Sequence, residues 1–158
     1  MSTESRLRTV ILAIDPGTTQ SGYCQYNGSV LDSGVRGNKD LLSDLVHAKH
    51  CTLAIEMVAG YGMPVGAEVF ETVRWIGRFQ QAFHDPDAVR FVYRKDVKLY
   101  LCGSLRAKDA NVWQALIDQL GPVGTKAAPG PLYGVKSHAR SALAVAVTAL
   151  HQMKMEML

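Results

Sequence analysis

The sequence predicts an α/β domain in which a mixed five-stranded sheet carries helices on both faces. Two β-branched apolar runs, TVILAID at 9–15 and CTLAIE at 51–56, read as buried strands, and each ends in an acid. Stretches with apolar residues at helical spacing follow them. After an opening group of three strands, strand-like and helix-like segments alternate. The chain has 158 residues, 47% apolar and 20% charged, which fits one folded domain over 1–158 with a short flexible tail at 1–8.

Along the chain, the strand at 9–15 runs into the turn signal Pro16-Gly17. Residues 22–27 alternate in character, Asn27-Gly28 marks a tight turn, and 29–33 continues as a third strand. Residues 40–48 carry Leu41, Leu42, Leu45 and Val46 as a short helix, with Asp40 placed to cap it. The strand at 51–56 leads into the loop MVAGYGMPVG, rich in glycine. An amphipathic helix is expected over 67–83, and a third central strand at 91–93. Residues 108–120 repeat the helical pattern and Gly121 is a natural stop. The stretch 121–134, with four glycines and three prolines, reads as a mobile loop. Ser137 is placed to cap a last helix from 138 to about 153, apolar on nearly every face through Val147.

The longest apolar run, 142–150, is nine residues and holds Thr148, short of the ~20 needed to span a bilayer. The start MSTESRLR has no apolar stretch of the kind a secretion signal needs. Cys24, Cys51 and Cys102 lie far apart with no CxxC pair, so they read as core thiols. A cytoplasmic protein without a membrane partner is therefore expected. The net charge of +3 is mild but uneven. Residues 1–89 carry seven Lys and Arg against ten Asp and Glu, whereas 90–108 carry six against Asp96 alone. Such a segment can grip phosphates or form a solvated helix face.

The chemistry centres on two acids. A carboxylate ending an apolar strand costs desolvation unless something positive sits beside it, and a hard divalent cation answers that need. Asp15, followed by Pro-Gly-Thr-Thr, is such a residue, or else a turn aspartate capping Gly17 and Thr18. Glu56 ends the second apolar strand, with no basic residue within four positions; the alternative is a strand-end residue facing solvent. Two acids at adjacent strand ends suit phosphodiester hydrolysis by paired metals.

The segments IDPGTTQSGY (14–23), AIE (54–56), RKDVKLYLCGS (94–104), AKDANVWQAL (107–116) and SHARSALAVAVTAL (137–150) together resemble RuvC-type Holliday junction resolvases of the ribonuclease-H-like superfamily, of the kind phages encode. The similarity covers residues 9–150. It implies a ribonuclease-H-like fold and a metal-dependent endonuclease that resolves four-way junctions, and related branched DNA, by paired symmetric nicks. Water attacking in line would leave 5′-phosphate and 3′-hydroxyl ends. Mg²⁺, with Mn²⁺ able to substitute, would be held by Asp15, Glu56 and His138. Ser141 stands where the family usually has an acid, and a hydroxyl is a poorer Mg²⁺ ligand. An acid such as Asp118 compensates, or phosphate and water fill the coordination shell, or the chain binds junctions and cleaves weakly or not at all.

By the same resemblance Lys98 and Lys108 lie near the scissile phosphate as catalytic cations, while Arg94, Lys95 and Arg106 hold flanking phosphates. Tyr61, between two glycines, is a candidate wedge that stacks on an unpaired base at the crossover, or else an aromatic folded back on the core. A homodimer is expected, its symmetry matching the junction, with the seam on the helix at 67–83 through Phe70, Trp75, Phe79 and Phe83. IDPGTTQSGY also resembles the phosphate loop of actin-like ATPases. Those need two such sheet domains, so no nucleotide cofactor is expected.

Overall fold

The computed structural model describes residues 9–158, so the tail at 1–8 lies outside the described residues. The expected five-stranded mixed sheet is present: β1 (Val10–Asp15), β2 (Gln20–Tyr26), β3 (Val30–Gly37), β4 (Cys51–Met57) and β5 (Arg90–Tyr93), in the order β3-β2-β1-β4-β5. β1 pairs antiparallel with β2 and parallel with β4, so it is the central strand; β4 pairs parallel with β5. Among the described residues five α-helices flank the sheet: α1 (Asn38–His47), α2 (Ala67–Ala82), α3 (Arg94–Cys102), α4 (Asp109–Leu120) and α5 (His138–Glu156). Among the described residues, no helix is long and apolar enough to cross a membrane.

The period-2 alternation of strands divides the core into two layers. Leu12, Ile14, Leu53 and Ile55 pack with Leu41 and Leu45 of α1 and with Trp75, Ile76 and Phe79 of α2. Ile11, Ala13, Ala54 and Val92 face the other way, onto α5 and the inner sides of α3 and α4. The residues of α5 from Ala142 to Ala149 are all buried. Small side chains on both partners let that helix lie close to the sheet. Gly22 shows how close: a Cβ there would stand 2.3 Å from the carbonyl oxygen of His138, so only glycine admits the start of α5 at this point.

Several expectations need correction. β5 is an edge strand, not a central one, because among the described residues nothing pairs beyond it. The basic segment after it is a helix in its own right, α3, entered directly from β5 and closed by Gly103 in the left-handed conformation (φ 68°). β3 runs on to Gly37 and α1 starts at Asn38 with Gly37 as its cap, so Asp40 lies inside the first turn and caps nothing. Ser137 does occupy the cap position of α5, but with φ 52° and no side-chain capping bond. On α2, Trp75, Phe79 and Phe83 are consumed by the chain's own core, which leaves Phe70 and Val73 as the exposed apolar residues of the expected seam. No correction attaches to the 121–134 stretch, in which a bridge joins Gly124 to Pro129 and Leu132 is fully buried.

Candidate active site

The register of β1 and β4 brings the two acids together. Ile14 stands beside Ile55, so one step further Asp15 stands beside Glu56. Both fall on the α5 side of the sheet, the side of Ala13 and Ala54. They are mostly buried, with side chains 17% and 15% exposed, at the floor of a cleft of about 1130 Å³. Burial and the neighbouring Asp15 charge push the Glu56 carboxyl up to about 7, although Arg94 pulls it down. Burial and the two like charges thus disfavour ionising both acids together.

His138, the first residue of α5, reaches back to this pair. Its Nδ1 lies 3.0 Å from Asp15 Oδ2, a hydrogen bond in which the ring N–H donates to the carboxylate. In the neutral ring this bond puts the proton on Nδ1 and leaves Nε2 as an acceptor. The local backbone supports the placement: Gly22 sits opposite Asp15 on β2, and its missing side chain is what lets His138 approach. Ser137, held at positive φ without glycine, supplies the bend that aims the helix start.

The loop between Asp15 and β2 is fixed from below by two buried polar residues that the sequence reading passed over. Ser21 Oγ accepts from the Gly17 N–H (3.1 Å) and donates to Asn38 Oδ1 (2.6 Å). Asn38 Nδ2 in turn donates to the Gly17 carbonyl (2.9 Å). Asn38→Leu strips partners from Ser21 and Gly17 inside the protein, and such orphans cost about 2–3 kcal/mol. Urea unfolding should show that loss, and an unchanged midpoint would contradict the role given to this network.

Of the residues singled out from the sequence, Asp15, Glu56, Arg94, Lys98, His138 and Ser141 line the cleft. Ser141 lies one turn beyond His138 on α5 and is half-buried. Lys108 is the cap residue of α4, its N–H donating to Asn111 Oδ1 at 2.9 Å, and does not line the cleft. Nor do Lys95, whose ammonium sits 5.9 Å from the Tyr93 ring, or the exposed Arg106. Asp118 is exposed and bonded to Gln114, away from the acids it was to supplement. Tyr61 is 67% exposed at φ 51°, on the loop tip rather than folded on the core.

Two cleft residues escaped the sequence reading. Arg140, two positions after His138, lays its guanidinium 4.1 Å over the Trp113 ring at the cleft wall. Asp109, first residue of α4, contacts Arg94. The run SHARS and the acid following Lys108 were the available signals.

Among the described residues, no three His, Cys, Asp or Glu side chains form a ready metal cage. The donor chemistry nonetheless fits one hard divalent cation. Mg²⁺ typically takes one or two protein carboxylates and completes its shell with water and substrate phosphate. Asp15 and Glu56 are such a pair, and a cation held by them would relieve their mutual repulsion.

No protein-family profile matches the chain, and no curated protein does either. Solved structures do. A RuvC of T. thermophilus in complex with a Holliday junction substrate superposes with TM-score 0.68 at 23% identity, over 94% of this chain and 96% of that one. A Thermus thermophilus RuvC structure gives TM-score 0.65 at 22% identity, over 93% of this chain and 97% of that one. The chain thus has the RuvC-like, ribonuclease-H-like fold.

Proposed function

We propose that this protein is a metal-dependent, structure-selective DNA endonuclease that nicks four-way junctions in symmetric pairs. The observation that carries the proposal is the side-by-side placement of Asp15 and Glu56, with His138 bonded to Asp15, in one cleft of a RuvC-like fold. A divalent cation held by Asp15 and Glu56, Mg²⁺ or Mn²⁺, would supply Lewis-acid polarisation of a phosphoryl oxygen and a more acidic bound water. His138, braced by Asp15 through Nδ1, presents Nε2 to accept a proton from the attacking water. Lys98 and Arg140 line the same cleft and offer positive charge to the phosphate as negative charge develops on it.

The substrate follows from the fold's likeness to a junction-bound RuvC and from the exposed, left-handed Tyr61 loop, whose ring is free to stack on an unpaired base. Two copies joined through Phe70 and Val73 of α2 would present their clefts to the two equivalent strands. Lys98→Ala should weaken junction binding or slow nicking by about tenfold while leaving linear-duplex binding weak. Band shifts at several salt concentrations, with cleavage rates beside them, check this; unchanged values in both remove Lys98 from the site.

Ser141 favours a second reading. With a hydroxyl in place of a third carboxylate, the chain would bind junctions and cut them slowly or not at all.

A further inference from the structure

We propose that Arg94, steered by Asp109, sets the affinity of the Asp15–Glu56 pair for a divalent cation by acting as its resident counter-charge. The inference rests on the metal-dependent reading above and deepens it. β5 is in register with β4, Tyr93 beside Met57, so the residue that opens α3 emerges next to the end of Glu56's strand. From there the Arg94 guanidinium reaches in two directions. Nη1 is 3.8 Å from Glu56 Oε1, and Nη2 contacts Asp109 Oδ1. The first distance is too long for a hydrogen bond, whereas the second partner is in direct contact. Asp109 therefore holds Arg94 partly off Glu56.

The charges make the consequence clear. Asp15 and Glu56 ionised carry two negative charges; with Arg94 beside them, one is offset. A divalent cation entering the pair meets a guanidinium already drawing on Glu56 and competes with it. Removing Arg94 strengthens the field that attracts the cation. Removing Asp109 releases Arg94 to close on Glu56 and weakens it. Two substitutions of opposite charge on neighbouring elements thus move metal affinity in opposite directions.

The test titrates Mn²⁺ alone into the full chain by calorimetry, without DNA, so that binding is read independently of cleavage. Arg94→Gln is expected to tighten Mn²⁺ binding about three- to tenfold, since the guanidinium is 43% exposed and partly screened. Arg94→Lys, which keeps the charge, should return affinity toward the parent value. Asp109→Asn should weaken binding by about two- to fivefold. In the double variant, the effect of Asp109→Asn should disappear, because it acts only through Arg94. An Arg94→Gln protein that binds Mn²⁺ no tighter than the parent overturns the proposal. So does a double variant weaker than Arg94→Gln, which would make Asp109 a ligand in its own right. A parent that binds no Mn²⁺, or binds it as well after Asp15→Asn, overturns the metal reading itself and this inference with it.

Discussion

Without divalent metal, a Glu56→Gln protein will gain stability over the parent as pH rises from about 5 to 8. Glu56 is shifted against the usual carboxylate direction: its folded value is about 7 and its ordinary value 4.5. Between those values the folded chain holds a proton that the unfolded chain has released. Stability linked to that proton is complete below about pH 4.5 and is lost as pH rises through about 7. A shift of this size corresponds to about 3 kcal/mol once Glu56 is ionised in the folded state. The variant, isosteric and uncharged, escapes the loss. Urea unfolding in chelator at pH 5, 6, 7 and 8 reads the difference directly. The parent's stability should fall relative to the variant's across this range, and added Mn²⁺ should restore the parent alone. Parallel pH profiles for the two proteins would show that Glu56 is not buried beside Asp15 as described.

Ser141→Asp is the second large effect expected. Ser141 follows His138 by one helical turn and lines the same cleft, so an acid there adds a third carboxylate to the pair. Mn²⁺ binding should tighten about tenfold or more, because affinity for hard cations follows the number of charged oxygen ligands. Junction nicking should rise with it if the hydroxyl is what limits the native chain. Without metal the same substitution adds a like charge and should lower stability at neutral pH. Calorimetry and melting in chelator measure both signs. Unchanged metal affinity would mean that position 141 does not face the cation.

Much of this arrangement is readable from sequence because it depends on strands with a simple signature. β1 and β4 are buried on both faces, so they appear as unbroken apolar runs, and an acid at each end stands out against them. Their adjacency then brings Asp15 to Glu56. The helix α3 is not readable in the same way, since β5 has four residues and passes into it with Tyr93 as cap and no turn signal between. Asp40 and Ser137 look like caps by residue type, yet the backbone decides otherwise: β3 extends to Gly37, and Ser137 stands at positive φ with no side-chain capping bond. The Ser21–Asn38 pair is invisible because polar residues seventeen positions apart meet only in the fold. Arg94 reads as one more cation in a basic run. Only the fold reveals that it lies between two acids.

The most direct test is nicking of a labelled mobile four-way junction by the native chain in Mg²⁺ and then Mn²⁺, with linear duplex and Asp15→Asn as controls. A junction endonuclease yields symmetric nicks on the junction, none on the duplex, and none after Asp15→Asn. A junction that is bound but uncut in either metal would contradict cleavage and leave a junction-binding protein with Ser141 in place of the missing acid.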